Sequence, residues 1–92
     1  MKWMFFNSYF DGDISEWETS SVTNMYCMFE GSKFNGDISG WDVSNVTNMV
    51  QMFRQSQFNH DISCWDVSNV KYYNEIFLKC PIKEEYKPAK FR

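Results

Sequence analysis

The chain has no surplus of positive charge. Nine Lys and Arg stand against twelve Asp and Glu, a formal net charge of -3. The basic face that nucleic-acid recognition needs is therefore missing, and no nucleic-acid partner is expected. It also has no apolar run long enough to cross a membrane as a helix. The opening stretch Met1 to Asn7 is too short and too soon polar for a secretory signal. Three cysteines, Cys27, Cys64 and Cys80, make no even disulfide framework and no CxxC pair. Spread over separate repeats, they also make no metal cluster. With a single histidine, His60, the chain lacks a base–nucleophile pair, a metal triad and a glycine-rich phosphate loop, so neither catalysis nor a cofactor is expected.

What the chain does have is a dense aromatic complement, four Trp, five Tyr and nine Phe, with six Met. That much apolar volume argues against disorder. It is also ordered in sequence. Laid on itself at an offset of 24, Phe10 falls on Phe34 and Phe58, Ile14 on Ile38 and Ile62, and Trp17 on Trp41 and Trp65. Val22, Val46 and Val70 form another column, as do Phe29, Phe53 and Phe77. Residues 10–33 and 34–57 agree at 14 of 24 positions without a gap, which chance does not supply. The reading is one domain over 1–92, with a partial repeat 1–9, repeats 10–33, 34–57 and 58–81, and a closing segment 82–92.

Within a repeat, Trp41 and Val43 alternate with Gly40, Asp42 and Ser44, the period of a short strand. Val46, Met49, Met52 and Phe53 follow at the spacing of one helical face, with Ser44 or Asn45 placed to cap it. The fold expected is α/β: a solenoid of about four coils, each one short parallel strand plus one short helix. Residues 82–92 are expected to form a degenerate capping strand, blunted by Pro88 and by the neighbouring lysines.

The run Phe34-Asn35-Gly36-Asp37-Ile38-Ser39-Gly40-Trp41-Asp42-Val43-Ser44-Asn45-Val46-Thr47-Asn48-Met49, with Met52-Phe53 downstream, resembles the repeat of BspA-like leucine-rich-repeat surface proteins. This is the lipoprotein-type bacterial repeat of unknown function. The resemblance covers about residues 1–81. It implies a leucine-rich-repeat-like solenoid at the bacterial cell surface that attaches to host or neighbouring-cell proteins. Such chains usually carry a secretion signal and many more repeats.

The candidate partner-binding face is the outer side of the expected sheet, with Glu16, Glu18, Asp42, Asp66, Ser44 and Ser68. Proteins, basic ones among them, are the expected partners, since solenoids use extended faces of this kind. The acid column Glu18, Asp42 and Asp66 has a second reading as a cation ladder, and a simpler one, which is favoured, as a solvated face. Asp13, Asp37 and Asp61 read as turn residues bonding nearby N–H groups. His60 and Cys27 are expected to be exposed. The Trp and Met columns read as core. The first, partial coil sets Met1, Trp3, Met4, Phe5 and Phe6 at an end without a polar cap, and self-association through that end is expected. The alternative to a binding module is a structural terminal fragment or self-associating cap with no ligand of its own.

Overall fold

Phe5, Phe29, Phe53 and Phe77 stack ring on ring in the computed structural model, which describes all of residues 1–92. Successive centroids are 5.4, 5.4 and 5.8 Å apart, with interplanar angles of 7°, 5° and 13°. A second column, Phe10, Phe34 and Phe58, runs beside it at 6.5 Å steps. Repeats therefore lie on one another as tiers, offset by 24 residues and about one strand spacing apart.

That pitch decides the backbone. An α-helix with its side chains is about 10 Å across, so tiers on a ~5 Å pitch have no room for one. The expected α/β solenoid of strand-plus-helix coils is accordingly overturned. There is no α-helix, no strand and no sheet; the regular elements are two single 3-10 turns, Glu84–Tyr86 and Ala89–Phe91. Two isolated parallel bridges, Asn24 to Asn48 and Asn48 to Tyr72, mark the tier-to-tier contact. The expected strand at Trp41 to Val43 makes no ladder: the N–H of Trp41 turns back to Ile38 and that of Val46 to Val43. Nor is there a closing strand in 82–92, where the 3-10 turns flank Pro88.

In place of a helix, the run 25–32 is a string of overlapping turns. Amides 28, 30 and 32 donate to carbonyls 25, 27 and 29 of their own tier, while amides 25, 27, 29 and 31 donate to carbonyls 48, 50, 52 and 54 of the next. Tyr26 N–H goes to Asn24 Oδ1 at 2.9 Å and Phe34 N–H to Ser32 Oγ at 3.0 Å. Every amide from 25 to 32 is thus satisfied, as burial demands. The alternation needs a positive φ at the third residue of every second turn, the mark of a type II turn. It is met at Trp3, Asn7, Cys27, Gly31, Gln51, Gln55, Glu75 and Lys79, two per tier and four apart. Seven of these are not glycine, at a cost of about 1–2 kcal/mol each. Each such residue in the first three tiers offsets this with an amide bond to the next tier.

The columns fill the space between tiers. Met25, Met28, Met49 and Met52 are fully buried with the Phe stack. Trp41 and Trp65 are buried and donate their indole N–H to the carbonyls of Ile14 and Ile38, at 2.9 and 3.1 Å. Trp17 has only the half tier 1–9 before it and is 39% exposed. Asparagine side chains tie the corners: Asn45 and Asn69 donate to the carbonyls of Ser20 and Ser44. At one edge Glu30 and Arg54 form an ion pair of 2.7 Å across a tier boundary. Arg54 Nε lies 3.6 Å from the Glu75 carboxylate, too far for a hydrogen bond.

Candidate binding surface

Two rows of carboxylates stand on the exposed turns. In the first, Asp13 Oδ1 accepts both the N–H and the hydroxyl of Ser15, at 2.9 and 2.7 Å. Asp61 repeats this with Ser63, and Asp37 accepts the N–H of Ser39. In the second row Asp42 and Asp66 hold Ser44 and Ser68 in the same way, and Glu18 accepts the N–H of Ser20. The local reason is the D-x-S and E-x-S spacing: an acid two residues before a serine closes an Asx-type turn. In both rows the turn occupies one carboxylate oxygen and leaves the second without a protein partner.

These bonds hold the charge in place. Backbone and side-chain hydrogen bonds from the following serine lower the pKa of Asp13, Glu18, Asp37, Asp42, Asp61 and Asp66 below their ordinary values. A group with a depressed folded-state pKa contributes stability above its unfolded pKa and loses it as pH falls through the folded one. Thermal stability is therefore expected to be flat from neutral pH down to the carboxylate range, roughly pH 4, and to fall below it. Melting curves at a series of pH values would show this, and a melting temperature that rose on acidification would contradict it.

The rows differ in shape. Along Asp13, Asp37 and Asp61 run two open clefts of about 380 and 300 Å³. Asp11, Gly12, Asp13, Ser15, Gly36 and Asp37 line the first, and Asp37, Ser39, His60, Asp61, Ser63 and Cys64 the second. Asp37 belongs to both, so the pair reads as one polar groove crossing the tiers. No cleft follows the Glu18, Asp42 and Asp66 row. The glycines keep the groove floor low: a Cβ on Gly12 or Gly36 would come within 2.6 or 2.7 Å of the Phe10 or Phe34 ring.

Glu16, Glu18, Asp42 and Asp66 are exposed, but on turns, since there is no sheet for them to project from. Ser44 caps a turn with Asp42 instead of a helix, and Ser68 does so with Asp66. His60 is half-buried with its ring 6.1 Å from that of Phe58, so it is less open than the sequence suggests. Cys27 is fully buried. Its alignment with the polar Gln51 and Glu75 is misleading because Gln51 covers it from the next tier, with Sγ 3.5 Å from Oε1. Burial first, then the Glu30 carboxylate, pushes its thiol up to about 11. Cys64 is exposed and Cys80 half-buried. At the N-terminal end Trp3, Met4 and Phe6 are exposed, Met1 is half-buried and Phe5 lies under Phe10 and Trp17. No helix is long and apolar enough to cross a membrane.

Residues 1–86 match the model of a protein family described as "Mycoplasma protein of unknown function, DUF285". No curated protein and no solved structure matches the chain.

Proposed function

The chain belongs to the DUF285 family, and we propose that it is a non-catalytic protein-binding repeat module. The observation that carries this is the groove along Asp13, Asp37 and Asp61. Three carboxylates recur at the tier spacing, each fixed by its own turn and each with one oxygen left over. An open, polar, shallow groove suits an extended segment rich in Lys or Arg, which reaches one carboxylate per tier through charge-assisted hydrogen bonds. It does not suit a small substrate, which needs an enclosed and largely apolar pocket. The FNGDISGWDVSNVTNM run extends the reading to an adhesion module of a bacterial surface protein of the BspA-like kind, with host or neighbouring-cell proteins as partners.

A short lysine-rich peptide is a direct probe. Replacing Asp13, Asp37 and Asp61 together by Asn keeps an Oδ1 to accept the serine N–H, so the turns survive while three charges go. Calorimetric titration should show binding by the native chain that weakens with salt and is lost in the triple variant. Glu18→Gln, Asp42→Asn and Asp66→Asn together should bind nearly as the native chain does. Equal loss in both variants would reduce the groove to non-specific charge attraction, and unchanged binding in the first would remove it as the site.

A further inference from the structure

The two ends of the tier stack are complementary in the same lattice that holds the interior together. Within the turn strings 3–7, 25–31 and 49–55 the odd-numbered amides donate to the following tier, and the even-numbered carbonyls of 26–30, 48–54 and 72–78 accept from the preceding one. In the last full tier the amides of Tyr73, Glu75, Phe77 and Lys79 therefore find no partner, and neither do the carbonyls of Lys2, Met4 and Phe6 in the first. We propose that the 92-residue chain associates head to tail with a second copy of itself, the first tier of one seated on the last tier of the other. This is independent of the binding groove.

The register follows from the interior bonds. Gln51, Phe53 and Gln55 donate to carbonyls 74, 76 and 78. One tier on, Glu75, Phe77 and Lys79 donate to Lys2, Met4 and Phe6 of the second copy. Side chains follow the same columns. Ile76 meets Met4, Phe77 meets Phe5, and Leu78 meets Phe6. Leu78 and Phe6 are 41% and 42% exposed in the single chain, and they occupy the column that inside the stack holds the Glu30–Arg54 ion pair. The interior is polar at that column while both ends are apolar, as a buried joint requires and a solvated end does not.

The shapes also fit. Residues 82–92 lie over only the first half of the preceding tier: Lys83 N–H donates to Asn59 Oδ1, 24 residues back, as Asn59 does to Asn35. Residues 1–9 are the second half of a repeat. The two segments together fill 20 of the 24 positions of one tier and do not overlap. Between residues 73–78 and the tail residues Lys87 and Phe91 lies an open, mostly apolar groove of about 350 Å³ that receives the incoming turn. Lys87 Nζ, 5.3 Å from the Phe77 ring centroid, swings off that face. Charge assists: residues 79–92 carry five basic groups and two acids, and residues 1–24 four acids and one lysine. Lys83 falls one tier from Asp11 of the second copy and Lys90 from Glu18, while Glu85 opposite Asp13 works against the joint. Such a contact is heterologous, so it extends into short filaments instead of closing a dimer.

Sedimentation velocity on the 92-residue chain tests this. The native chain should show a weight-average coefficient that rises with concentration into the high micromolar range. Leu78→Glu and Phe6→Arg each block one end and should each sediment as monomer. Mixed one to one they should form alternating chains again, because the unaltered Leu78 end of one meets the unaltered Phe6 end of the other and the two altered ends meet as a Glu–Arg pair of the Glu30–Arg54 kind. The double variant should form chains again. A native chain that stays monomeric throughout would overturn the proposal whatever the variants do. Association of the native chain that mixing does not restore would point to a two-fold joint and overturn the head-to-tail register.

Discussion

Phe53→Ala should remove about a fifth or more of the stability of this protein. Its ring is fully buried and stacks on Phe29, Phe58 and Phe77 at 5.4, 4.5 and 5.8 Å, with Trp65 tilted against it at 6.4 Å. Truncating a buried Phe costs about 3–5 kcal/mol, against a total for a chain of this size of roughly 5–14 kcal/mol. The tiers above and below are held apart by their own backbone bonds, so the cavity has little scope to collapse. Phe77→Ala removes the same group from the last tier, where the ring is half-buried, and should cost clearly less. Urea unfolding followed by tryptophan fluorescence gives both values. Equal losses would mean that the interior column is no better packed than its end.

Ser56→Ala should cost about 1–3 kcal/mol, the penalty for a buried amide left without an acceptor. Ser56 is buried, and its hydroxyl accepts the N–H of Phe58 at 2.9 Å. Ser8 accepts the N–H of Phe10 at the same 2.9 Å, but in an exposed setting. Water can take over that amide, so Ser8→Ala should cost a small fraction of the Ser56 value. The two bonds have one geometry and two solvent environments, so the difference between them isolates desolvation. A comparable loss at both positions would show that the contribution comes from the turn itself, not from burial.

The 24-residue period and the Phe, Trp and Met columns are visible in the sequence, and the tier contacts follow them. The backbone that carries them is not. Val46, Met49, Met52 and Phe53 have the spacing of a helix face, and a string of overlapping turns, every second one of type II, offers the same residues to the core. What separates the two is the pitch: identical aromatic columns stack at about 5 Å, which a helix of twice that width forbids. Trp41 and Val43 alternate like a strand, yet the neighbouring tier offers their amides no ladder. Residues at positive φ leave little trace in sequence, because only Gly31 of the eight is a glycine. The acid–serine turns are legible from their two-residue spacing. The groove along Asp13, Asp37 and Asp61 is not, since it exists only once the tiers are stacked and His60 and Cys64 line one end of it.

Amide hydrogen exchange tests the tier-to-tier ladder most directly. The amides of Cys27, Phe29, Gln51 and Phe53, each bonded to the next tier, should be protected to near the global stability. In dilute monomer their counterparts Glu75 and Phe77, one tier further on and without partners, should exchange at rates close to those of an open chain. Protection of Gln51 and Phe53 alongside free exchange at Glu75 and Phe77 is the predicted result. Comparable protection across 49–55 and 73–79, as two helices would give, would contradict the stacked-turn architecture.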